Sequence, residues 1–150
     1  VGRADLMDQA WPASNGEAIH TSTFLGHPVG CAMALANFAE IKRRKLVTRS
    51  ARLGNWLLNE LRKIPSAKLN VSCTPRGMGL MVGIELLRKD GTPAGEEALT
   101  VIKRLLHRGF ILLPEGEHSN VIALTPPLTV SQAQLRRAVA ALAEEIAALP

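Results

Sequence analysis

The chain is poor in aromatic side chains. It has no tyrosine, three phenylalanines and two tryptophans, and these do not interleave with its basic residues. A stacking platform for single-stranded nucleic acid needs such interleaving, so that class of binder is set aside. Cysteine is scarce as well. Cys31 and Cys73 have neither a metal-ligand spacing nor enough company for a disulfide framework. A reduced, cytoplasmic setting is therefore expected. No apolar run is long enough to span a bilayer without charges or helix breakers, so no membrane partner is expected. Arg3, Asp5 and Asp8 occupy the place where the apolar core of a secretory signal would lie. Internal repeats and low-complexity segments are also lacking.

What the chain does have is apolar content suited to a packed core. Of its 150 residues, 47% are hydrophobic and 21% charged. The net charge is +5, but the basic residues are scattered over helical segments. The one basic run, Lys42 to Lys45, reads as a solvated helix end, where cations meet the negative end of the dipole. No nucleic-acid partner is expected. The first residue is Val1 rather than methionine, which leads to the expectation of a piece of a longer protein.

Residues 1–17 read as irregular surface, with at most one helical turn in "ADLMDQAW" and loop chemistry in "WPASNGE". Pro28 suits the first position of a helix running to Arg44. That helix is apolar on nearly every face in its first half, so it is expected to be buried, becoming amphipathic near Glu40. A second helix spans about Thr48 to Ile64, with Leu53, Leu57, Leu61 and Ile64 in one stripe and Trp56 beside it. Strands are expected at 69–73 ("LNVSC") and 79–87 ("GLMVGIELL"). Residues 96–108 form an amphipathic helix stopped by Gly109, with Ala98, Val101, Ile102 and Leu105 inward. "FILLP" and "NVIAL" read as further short strands. Ser131 with Gln134 forms a capping box for a last helix, whose apolar face is Leu135, Ala138, Val139, Leu142 and Ile146. From residue 46 onward this order predicts an α+β layer of helices on one small sheet.

The chemistry-bearing stretch is "AIHTSTFLGHPVGCAMALA", residues 18–36. His20 and His27 share no helix face, His107 and His118 are isolated, and no third ligand completes a metal site. A Cys31–His27 dyad is conceivable at this spacing, but Cys31 reads as an inert buried thiol. Ser22 and Thr23, just ahead of a glycine and a helix start, suit either an anion or an ordinary helix cap. "RGMGL" (76–80) has two glycines followed by a strand rather than a helix. It fails the dinucleotide fingerprint and reads as tight backbone packing at a strand entrance.

Four motifs occur in order: "HTSTFLGHPVGCAMALA", "RGMGLMVGIEL", "GFILLP" and "TPPLTVSQAQL". Together they resemble the C-terminal part of the class III aminotransferases, pyridoxal-phosphate enzymes of fold-type I such as ornithine, 4-aminobutyrate and ω-amine transaminases. "GRADLMD" resembles the segment after that family's lysine loop. The resemblance implies an α/β fold. Residues 1–26 would be the edge of the large cofactor-binding domain, 27–45 an interdomain connecting helix, and 46–150 a small α+β domain. It implies pyridoxal 5′-phosphate as cofactor, an amine or amino acid and a keto acid as substrates, and a homodimer. Thr23 would donate to the phosphate of the cofactor held by the other subunit, with Ser22 helping through its backbone N–H.

The lysine that carries the cofactor is expected upstream of Val1, because Lys42, Lys45, Lys63, Lys68, Lys89 and Lys103 do not match it. This chain therefore holds no catalytic residue and should not transaminate alone. Many members also have an arginine for the substrate carboxylate three residues before the Pro-Pro pair, where Ala123 stands here. Arg76 is the nearest substitute by motif, though its family role looks structural. Two other readings stand beside this one. The chain could be a regulatory or interaction domain that kept the small-domain fold, or part of an isomerase or decarboxylase using the same cofactor.

Overall fold

A computed structural model describes residues 2–10, 23–24, 26–65 and 70–150. The chain divides into two compact units, Val1–Glu40 and Ile41–Pro150.

The first unit holds α1 (Ala4–Ala10) and most of α2 (Pro28–Arg43). The segment expected to be at most one turn is thus a two-turn helix, with an Arg3–Asp5 ion pair at its start. "WPASNGE" lies outside the described residues. Helix α2 begins on Pro28, as its fixed φ favours. It is not the buried helix expected from its composition: none of its residues is buried, and Val29 and Phe38 expose 61% and 68% of their surface. An apolar run identifies surface that favours leaving water; it does not identify what covers that surface.

Lys42 and Arg43 lie in the last turn of α2, matching the helix-end reading of the basic run. Lys45 then adopts a left-handed backbone (φ 50°) immediately before α3 (Leu46–Leu61). The stripe Leu53, Leu57, Leu61 and Ile64 is buried. Trp56 packs beside the core, under the Arg136 guanidinium 5.9 Å from its ring centre.

The sheet comprises β1 (Val71–Met78), β2 (Met81–Arg88), β3 (Leu113–Glu115) and β4 (Val121–Leu124), with α4 (Gly95–His107) between β2 and β3 and α5 (Gln132–Ala147) last. The strand order is β1-β2-β4-β3, antiparallel throughout. Alternation follows the pleat: Val82, Ile84, Leu86, Ile122 and Leu124 are buried on the face covered by α3 and α4, on which α5 packs, whereas Met81, Gly83 and Ala123 face the other way. This is the predicted α+β layer.

β1 runs past its predicted end, through Pro75. A proline is tolerated there because β1 is an edge strand and no outer neighbour needs its N–H. β3 starts later than "FILLP" predicts. Gly109 (φ 84°) closes α4 in a Schellman arrangement, with Gly109 N–H donating to Leu106 O and Phe110 N–H to Leu105 O, so Phe110 is still tied to the helix. The α5 capping box is formed: Gln134 N–H donates to Ser131 Oγ at 3.2 Å, and Ser131 N–H to Gln134 Oε1 at 2.9 Å.

Two polar contacts tie α3 to its surroundings. Arg49 donates to the carbonyls of Leu128 (2.7 Å) and Val130 (2.6 Å), pinning the loop ahead of α5. Ser50 Oγ accepts from Leu80 N–H at 2.9 Å, at the β1–β2 turn. The Gly79 backbone in that turn lies directly against Gly54. The glycines of "RGMGL" thus serve backbone packing at a strand entrance, as their sequence context indicates.

Candidate functional site

Thr23 and Phe24 form a turn that enters α2 through Gly26 and His27. His27 N–H donates to Phe24 O at 3.1 Å, and Gly26 holds φ 70°, a conformation that disfavours any side chain. His27 sits immediately before α2, and its Nδ1 accepts from Gly30 N–H at 3.3 Å. A histidine thus does the capping that serine or threonine usually performs. The Phe24 ring meets the imidazole edge-on, with centroids 6.3 Å apart and planes at 73°.

Thr23 is exposed at this turn, and the first turn of α2 carries no acidic residue. An exposed hydroxyl ahead of a helix start that carries no carboxylate suits an anion. Ser22 and His20 lie outside the described residues.

The Cys31–His27 pairing is not formed. His27 Nδ1 takes its hydrogen bond from Gly30, and the contact between the two residues is a main-chain one, Cys31 N–H to His27 O at 2.9 Å. Cys31 is also exposed, contrary to the buried thiol expected of it. Among the described residues, no group of three His, Cys, Asp or Glu side chains is placed to hold a metal ion. None of their helices is long and apolar enough to cross a membrane.

In the second unit, Ala123 pairs with Gly83 on one side and Leu113 on the other, and Gly83 pairs in turn with Arg76. Arg76 and Ala123 therefore share one cross-strand row, separated by a residue without a side chain. The Arg76 guanidinium is held by Glu85, at 2.5 Å diagonally across β1–β2. That ion pair gives Arg76 a structural role. Sequence reasoning did not single out His27 as a cap, although a histidine directly before an N1 proline is a readable signal.

The family model described as "Aminotransferase class-III" matches residues 1–146. The chain is 39% identical over 146 residues to the 5-aminovalerate aminotransferase DavT of Pseudomonas aeruginosa, covering 96% of this chain and 33% of that protein. It is 33% identical over 137 residues to a leucine/methionine racemase of Thermococcus litoralis, covering 90% of this chain and 29% of that protein. Among solved structures, a transaminase from the marine bacterium Virgibacillus superposes with a TM-score of 0.74 at 32% identity, over 95% of this chain and 32% of that one. The chain thus spans about a third of the length of the relatives it matches. With its helices layered on one small sheet, its Thr23 turn and a match over nearly its full length, the chain belongs to the class III aminotransferase family.

Proposed function

We propose that these residues serve as the C-terminal third of a pyridoxal-phosphate-dependent aminotransferase that moves an amino group between an amine or amino acid and a keto acid. The observation that carries this reading is Thr23: it stands exposed on the turn into α2, in a chain that matches the family over 1–146. In this reading 1–26 close the large domain, 27–45 connect, and 46–150 form the small domain. The protein is a cytoplasmic homodimer.

The turn's chemistry fits the cofactor's phosphate. Thr23 donates its hydroxyl to a phosphate oxygen, and Ser22 adds its backbone N–H. The phosphate belongs to the cofactor of the other subunit, so each site is complete only in the dimer. Gly26 supplies the left-handed turn, and His27 caps α2 and so holds the loop's exit. The bound cofactor supplies the electron sink for the transfer. The lysine that carries it lies upstream of Val1.

Steady-state kinetics of the whole protein test this. Amine consumption that requires a keto acid and follows ping-pong kinetics is expected. Interconversion of amino-acid enantiomers with no keto acid would favour a racemase instead, and absence of both activities with no visible cofactor absorption would contradict the proposal.

A further inference from the structure

Helices α3 and α5 pack against each other, and Trp56 of α3 meets Arg136 of α5 on their shared edge. The indole is half-buried against the core, with the Arg136 guanidinium 5.9 Å from its ring centre. Arg52 stands one turn ahead of Trp56 on α3, so the two share one side of that helix. Arg52 and Arg136 are both exposed. Two arginines thus flank one tryptophan, and these are residue types that dominate the energetics of protein interfaces.

Neither cation is neutralised. Among the described residues Arg52 has no side-chain partner, and Arg136 has the indole alone. By contrast, Arg76, Arg88 and Arg108 pair with glutamates, and Arg49 bonds to two carbonyls. No acidic residue occurs between Ile41 and Asn59, or between His118 and Ala143, so neither stretch brings a carboxylate of its own to this edge. The acid of α3 is Glu60, and Lys63 holds it at 2.7 Å. The edge is therefore a compact positive patch around a half-exposed aromatic ring.

We propose that this edge docks an acidic segment of a partner protein, with neighbouring carboxylates on Arg52 and Arg136 and an apolar side chain against Trp56. Each guanidinium matches one planar carboxylate through two parallel N–H donors. The acid-free stretches around the patch favour the encounter with such a segment. Nucleic acid is bound through a long row of phosphate contacts. Here Arg62 and Lys63, further along α3, are already engaged by Asn59 and Glu60, so the free cations form a cluster and not a row. A membrane surface would need a broad apolar face beside the cations, and one indole does not supply it. The inference goes beyond the aminotransferase reading and does not depend on it.

The test is fluorescence anisotropy of a labelled helical peptide, with glutamates three and four residues apart around a leucine, titrated with the whole protein. Saturable binding is expected, and the same peptide with glutamines for glutamates should not bind. Arg52→Gln and Arg136→Gln, both at exposed helix positions, should each weaken the acidic peptide ~3-fold and together ~10-fold, the range of exposed charge pairs. Lys103→Gln removes an exposed cation from α4 and should leave the affinity unchanged. Absence of saturable binding, unchanged affinity in the double variant, or an equal loss in the Lys103→Gln protein would each overturn the proposal. So would tighter, arginine-dependent binding of a single-stranded oligonucleotide or of phosphatidylserine vesicles, which would assign the edge to nucleic acid or to a membrane.

Discussion

The carbonyl of Gly79 occupies the space that a side chain on Gly54 would need. Gly54 lies in the middle of α3, and Gly79 turns the chain from β1 into β2 with φ 56°. The β1–β2 turn can rest on the helix only because neither residue has a Cβ, and Ser50 fixes the same turn by accepting from Leu80 N–H. Replacing a helix-interior glycine by alanine ordinarily stabilises by about 1 kcal/mol. Here the sign should reverse. Gly54→Ala should destabilise the second unit by ~1–3 kcal/mol, as overpacking against backbone does. A urea denaturation midpoint that falls supports this, and one that rises contradicts it.

Arg49 should matter in a way its position in the sequence does not announce. Its two bonds to the Leu128 and Val130 carbonyls are the charge-assisted kind. Arg49→Met keeps the aliphatic stem and removes both. A loss of ~2 kcal/mol is expected, with faster amide exchange at Val130, whose N–H bonds to Pro127 O. Unchanged exchange there would show that the loop is held by other contacts.

The two cysteines should differ sharply in reactivity. Cys73 lies half-buried against the core, and desolvation pushes its thiol up to about 11. At pH 8 only about one thiol in a thousand is then the reactive thiolate. Cys31 is exposed. Iodoacetamide followed by mass spectrometry should label Cys31 in the folded chain and Cys73 only after denaturant is added. Equal labelling of both in the folded chain would contradict the packing of β1.

Acid sensitivity should trace in part to Arg88 and Glu97. The Glu97 carboxylate is held below its ordinary 4.5, chiefly by its hydrogen bond from Arg88, 2.6 Å away. A group whose folded value is depressed adds stability above its unfolded value and loses it as pH falls through the folded one. The pair's contribution is therefore complete above about pH 5, begins to fall near 4.5 and is lost as pH drops through the lower folded value. Glu97→Gln should lower stability at neutral pH and flatten its fall between pH 5 and 3. A fall as steep as in the unsubstituted chain would assign acid sensitivity to other groups.

The second unit was largely legible in the sequence. The leucine stripe of α3, the inward face of α4, the Gly109 stop and the Ser131–Gln134 box are local signals, and local physics decides each of them. The readings that missed depend on what lies elsewhere in the fold. The expected strand stops at Cys73, whereas β1 runs on through Pro75, which an edge strand tolerates. "FILLP" reads as strand until Phe110 is seen bonded back to α4. Composition told that α2 is apolar, but burial is a relation between two surfaces and only one is in the periodicity. At the candidate site the local reading left Thr23 open between cap and anion donor. The structure gives the capping to His27 and leaves Thr23 exposed.

The most direct test of the central claim is the affinity of the whole protein for pyridoxal 5′-phosphate with Thr23→Val in place. Valine keeps the shape and removes the hydroxyl, and a lost charge-assisted bond to a phosphate predicts a Kd raised about tenfold, with the dimer intact. An unchanged Kd would contradict the assignment of Thr23 as the phosphate donor.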